Sequence, residues 1–217
     1  MRIGKLSLLV VASALGITTQ AANVQQLPGH FGGFSSDGGT WTVADDFQFE
    51  EATVIGGLNW WGGYLNTQTR YDQFSVRLFS DDGGGPGSLL EEFTVGPISR
   101  VATGQFVNAP GGYEEFKYSA GLATPFRAEA GVTYWISIVN SPRDLWLWEA
   151  SGSTANLGVQ RSFDAEPWQS YFDNAAFEML AVPEPDGMLF VAAGLASVTL
   201  LRRFRGRPIP KVRGASR

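Results

Sequence analysis

Three groups of side chains in this sequence have the types and spacing that binding or catalysis needs. The first is the acidic turn Asp81-Asp82-Gly83-Gly84-Gly85-Pro86-Gly87. Calcium takes about six to eight oxygen ligands, and carboxylates plus the carbonyls of a flexible turn supply them. Asp81 and Asp82 are therefore candidate calcium ligands, with Asp45, Asp46 or Asp72 as candidate co-ligands. The spacing is not that of an EF-hand loop, which sets acids at alternate positions and a glutamate at the far end. The competing reading is a solvated turn whose aspartates accept hydrogen bonds from nearby backbone N–H groups.

The second group is aromatic: Trp60-Trp61-Gly62-Gly63-Tyr64, then Trp146 with Trp148, then Trp168 near Tyr171. Exposed indole and phenol rings offer flat apolar faces to sugar C–H groups. Trp60, Trp61, Tyr64, Trp146, Trp148 and Trp168 are accordingly candidate glycan contacts. Core packing is the competing reading for large aromatic residues. Adjacent strand residues point to opposite faces, so at most one of Trp60 and Trp61 belongs on the core side. Trp146 and Trp148 share a face, as a core pair or as a platform.

The third group is acidic: Glu50-Glu51, Glu91-Glu92, Glu114-Glu115, and Glu149 with Asp164. Glycoside cleavage needs two carboxyls facing each other roughly 5–10 Å apart. Neighbours along a strand point apart, so no doublet is such a pair by itself, and solvated strand ends account for them. The one histidine, His30, lies in a glycine-rich stretch. There is no Gly-x-Ser-x-Gly, His-Glu-x-x-His or phosphate-loop pattern. The expectation is a protein that is not an enzyme and needs no cofactor. A secreted carbohydrate-active enzyme with carboxylates from separate strands is the alternative, and a calcium-stabilised interaction module is a third reading.

The elements that would carry these groups read as strands. Phe47 and Phe49 alternate with Asp46, Gln48 and Glu50, and Phe74, Val76 and Leu78 share one face. Val54–Trp61, Leu89–Val95, Val101–Phe106, Glu114–Tyr118, Trp146–Glu149, Asn156–Gln160 and Ala176–Leu180 follow the same style, and Thr133–Asn140 is the central-strand candidate. Gly, Pro, Asp and Asn punctuate them, and the body shows no sustained helical stripe. This predicts an all-β domain of about nine to eleven strands, an antiparallel β-sandwich of jelly-roll type. It should span residues 41–181, after a flexible lead-in over 23–40.

Composition narrows the class. The chain has 217 residues and no cysteine, which removes disulfides and thiolate metal sites. Its 7 Trp, 15 Phe and 6 Tyr supply bulk for a core instead. The formal charge of −5 hides a split, because the stretch between the two termini is near −13. Such a surface repels nucleic acid, so no nucleic-acid partner is expected.

Both ends look like handling segments. Arg2 and Lys5, the apolar run Leu6–Ile17 and the small residues to Ala22 read as a secretory signal peptide over 1–22. At the other end Val182-Pro183-Glu184-Pro185 is followed by an apolar run from Gly187 to Leu201 and by Arg202, Arg203, Arg205 and Arg207. The run would span roughly 22 Å as a helix, short of the hydrocarbon core, with snorkelling arginines making up the difference. The basic cluster would hold that end in the cytoplasm.

The order of motif, apolar span and arginine cluster resembles the PEP-CTERM sorting signal of Gram-negative bacteria. The resemblance covers residues 182–205, with a basic tail over 206–217 that is longer than usual for that family. It implies processing by a membrane-embedded exosortase as partner, after export by the secretion machinery, and a destination at the cell surface or in the exopolysaccharide matrix. A plain C-terminal transmembrane helix or a buried helix is the alternative. The segments Ala44–Phe47, Trp60–Tyr64, Phe74–Arg77, Asp81–Gly87 and Thr133–Ile138 together look like a module that recurs in secreted bacterial proteins with this tail. That likeness implies a β-sandwich and brings no catalytic residue. The function expected is structural or adhesive, with extracellular polysaccharide as candidate ligand and only transient contact with membrane.

Overall fold

The computed structural model describes residues 24–37, 40–65, 72–95, 98–108, 110–140, 145–153, 157–170 and 173–182. The signal segment, Pro183, Glu184, Pro185 and the arginine cluster lie outside the described residues, as does the helix expected between Gly187 and Leu201. Among the described residues there is no helix. The strands are β1 (Gln25–Gln26), β2 (Pro28–Ser35), β3 (Thr42–Gln48), β4 (Thr53–Tyr64) and β5 (Ser75–Asp81). They continue as β6 (Pro86–Thr94), β7 (Ser99–Val107), β8 (Tyr113–Ala128) and β9 (Thr133–Val139). The last are β10 (Trp146–Ser151), β11 (Val159–Arg161), β12 (Gln169–Ser170) and β13 (Phe177–Ala181).

They form two antiparallel sheets. The seven-stranded sheet runs β1-β13-β4-β10-β2, with β8 on the other edge of β4 and β7 beyond β8. The six-stranded sheet runs β12-β11-β3-β9-β5-β6. The twelve-residue β4 is the spine of the first: β8 lies along one side from Thr53 to Gly63, while β13 and β10 share the other.

Period-two patterning explains how the sheets enclose a common core. From the first sheet come Ile55, Leu58 and Trp60, Phe116 and Tyr118, Trp146 and Trp148, and Phe177 and Met179. The second contributes Val43, Phe47, Val76, Leu78, Ile136 and Ile138. Aromatic rings fill the centre: Trp60 stacks on Tyr118 at 5.5 Å, and Phe74 meets Trp146 edge-on at 4.9 Å. Offset and edge-to-face pairs of this kind add about 0.5–1.5 kcal/mol each beyond their area. The second sheet also packs on its outer side, where Ala44, Phe79, Trp135 and Val159 meet Trp168. Strand β9 is thus buried on both faces, which is why Tyr134–Val139 is apolar apart from Ser137.

The expected lead-in is instead structured. Pro28–Ser35 forms an outer strand of the first sheet against β10. Glycine makes the approach close: a Cβ on Gly33 would stand 2.8 Å from Trp148 O. Between Pro28 and Gly33 this strand spends more residues than β10 does between Ser151 and Glu149, so it bulges there. His30 sits in the bulge with φ 59°.

Candidate functional site

The aromatic candidates are in the interior. Trp60, Trp146 and Trp148 are each 0% exposed, and Tyr64 is buried with them. Trp61 points to the other face, as strand geometry requires, yet it is buried too, with the Lys117 ammonium 4.9 Å from its ring centre. These five side chains are core and cover, not an exposed glycan platform. The physical reason is area: large apolar rings gain more by leaving water than by facing it. Trp168 is half-buried, its ring occupied by Phe79 and by the Arg161 guanidinium at 4.2 Å.

The acidic turn behaves as a turn. Asp81 Oδ1 accepts from Trp135 Nε1 at 2.8 Å and from Gly84 N at 3.2 Å, and Asp82 N donates to Gly85 O. Gly83 and Gly84 take the left-handed conformation that this closure needs. Asp45 is not available as a co-ligand, because it points inward and is 0% exposed. Its Oδ2 accepts from Ala175 N at 2.6 Å and its Oδ1 from Asp46 N at 2.9 Å. Desolvation raises its pKa well above the ordinary carboxylate range. Asp72 is likewise engaged, with Tyr64 Oη and, at 2.7 Å, Arg100.

Of the carboxylate doublets, Glu50-Glu51 and Glu91-Glu92 are exposed throughout, and only the third splits as strand geometry demands: Glu114 is exposed while Glu115 is buried. What the sequence did not join, the sheet does. Glu115 on β8 and Glu149 on β10 both point to the outer face of the first sheet, opposite Phe116 and Trp148. Their cross-strand neighbours are Gly63 and Gly33, which leave room for them. The bulge of β2 brings His30 over both. His30 Nδ1 lies 2.7 Å from Glu115 Oε2 and 3.6 Å from Glu149 Oε1, and the His30 backbone N donates to Glu149 Oε1 at 3.1 Å.

Glu115 is 1% exposed and Glu149 0%, whereas the His30 side chain is 39% exposed and forms the outward side of the cluster. Glu149 Oε2 is buried with no hydrogen-bond partner. Burial first, and the nearby Glu115 charge second, push the Glu149 carboxyl up to about 9. Two carboxyls this deeply covered do not offer a sugar ring the open flanks that glycoside cleavage needs. A signal for the cluster was present in the sequence. Both glutamates interrupt aromatic strand segments, Glu115-Phe116 and Trp148-Glu149, where a charge is costly without a partner.

The fold and this cluster define the class: an all-β protein of two facing antiparallel sheets carrying a covered His–Glu–Glu group. The chain belongs to the family described as a domain of unknown function, DUF7901, whose model matches residues 22–185. No curated protein and no solved structure matches it.

Proposed function

We propose that this protein is exported and acts by display, as a structural or adhesive β-sandwich of the cell surface or exopolysaccharide matrix, delivered through its C-terminal sorting sequence. The observation that carries the reading is where the folded body ends. Ala181 pairs with Ile55, and Val182 N donates to Val54 O at 2.7 Å. The compact unit stops at Val182, and the next residues are Pro183-Glu184-Pro185. A cut within that motif would release every strand intact. An interior filled by tryptophan, and a body charge near −13, also suit a soluble scaffold in a hydrated polymer. We read the sandwich as jelly-roll-like, because successive strands cross repeatedly between the two sheets.

Mass spectrometry of the protein recovered from outside its native host tests the proposal. The expected C-terminus lies at or near Pro183–Pro185. Replacing Pro183, Glu184 and Pro185 together by alanine should leave an uncut precursor in the membrane fraction. An extracellular product still ending at Arg217 would sink the sorting reading.

A further inference from the structure

The outer face of the first sheet gathers His30, Glu115 and Glu149 from three different strands, and we propose that these residues bind one divalent transition-metal ion of the zinc type. Their ligand atoms all lie within 4.8 Å of one another. One imidazole nitrogen with two carboxylates is a borderline-hard donor set. It suits Zn²⁺ and its first-row neighbours and is poorly matched to Ca²⁺ or Mg²⁺, which favour oxygen alone. Tetrahedral zinc, with ligands at roughly 2.0–2.1 Å, keeps ligand atoms about 3.3 Å apart. The 3.6 Å from His30 Nδ1 to Glu149 Oε1 is already near that value, and the 2.7 Å to Glu115 Oε2 would open by about half an ångström.

One feature beyond the cluster's geometry points to a ligand. It is Glu149 Oε2, which is fully covered and has no hydrogen-bond partner. Among the described residues no lysine or arginine pairs with Glu115 or Glu149 either. Two buried carboxyl groups side by side, with one imidazole over them, make a place that a cation would fill, since a buried acidic pair normally has its partner or a metal. The backbone of His30 has a φ of 59°. That conformation lets both the main-chain N and the ring Nδ1 of one residue aim at the two glutamates. The imidazole also stands at the outer edge of the cluster, so a fourth position on the ion would face solvent and hold water.

His30 is the sole histidine of the chain, so its ring gives a single imidazole signal by NMR. The full chain, purified in mild detergent without an affinity tag, would be titrated with Zn²⁺ and, separately, with Co²⁺, Ca²⁺ and Mg²⁺. The expected result is one equivalent of Zn²⁺ bound, a displaced imidazole signal, visible Co²⁺ bands of tetrahedral intensity, and a raised melting temperature. Glu149→Gln and His30→Ala should each weaken Zn²⁺ binding at least tenfold. His30→Ala changes a partly exposed side chain and therefore keeps the test decisive if Glu149→Gln fails to fold. Zn²⁺ that leaves the imidazole signal in place, binding that survives His30→Ala, or a response to Ca²⁺ alone would each overturn the proposal.

Discussion

At the scale of single residues, the interior rests on a few large side chains and one carboxyl. Trp60 is fully buried between Phe74 and Tyr118. Trp60→Ala should cost about 3–5 kcal/mol in urea unfolding, the range for emptying an aromatic site in a close-packed core. Asp45 is the more telling residue, because it joins the two sheets from inside through Ala175 N. Its pKa is raised by burial, so the folded chain keeps a proton that the unfolded chain gives up near the ordinary value of about 3.9. The associated stability is fully present below that pH and is lost as pH rises toward the folded value. The melting temperature should therefore fall as pH goes from acid to neutral, and Asp45→Asn should make that slope shallower. Glu149, raised in the same direction, should contribute to the slope that remains. An unchanged slope in the variant would mean that Asp45 is ionised in the native state.

At the scale of elements, most strands were legible, because alternation of apolar and polar residues is a direct imprint of one buried face. β5 and the second half of β3 show it plainly. β2 was not legible: Pro28-Gly29-His30-Phe31-Gly32-Gly33 has no alternation, and its glycines read as a loose leader. They serve instead to bring the backbone close to β10. Nor does local pattern say which strands become neighbours, and for that reason the His30–Glu115–Glu149 group stayed hidden while its members were each visible. The burial of Trp61 on the opposite face from Trp60 is hidden for a related reason, since two-faced burial depends on what covers the sheet. Gly62 makes the point testable. A Cβ there would fall on Leu147 O and the Trp146 ring. Gly62→Ala should part β4 from β10 and lower stability by about 2 kcal/mol or more, seen as a reduced urea midpoint. Amide exchange should be slowest in β9, bonded on both sides and buried on both faces, and faster in the two-residue edge strand β12.

At the scale of the whole molecule, the body is closed by its last strand. β13 lies between β1 and β4, so Phe177 and Glu178 sit within the first sheet, while Ala181 and Val182 close the unit against β4 alone. A chain stopped after Pro185 should keep its β-type circular dichroism and a cooperative melt. One stopped after Asn174 loses β13 and the Ala175 N–H that Asp45 accepts from, and it should neither melt cooperatively nor remain soluble. The same placement governs timing. A ribosome delivers the amino-terminal strands first, yet one half of the β4 edge stays bare until residues near 181 have been made. The nascent polypeptide therefore remains unfinished, and able to be threaded through a narrow channel, until nearly its full length exists.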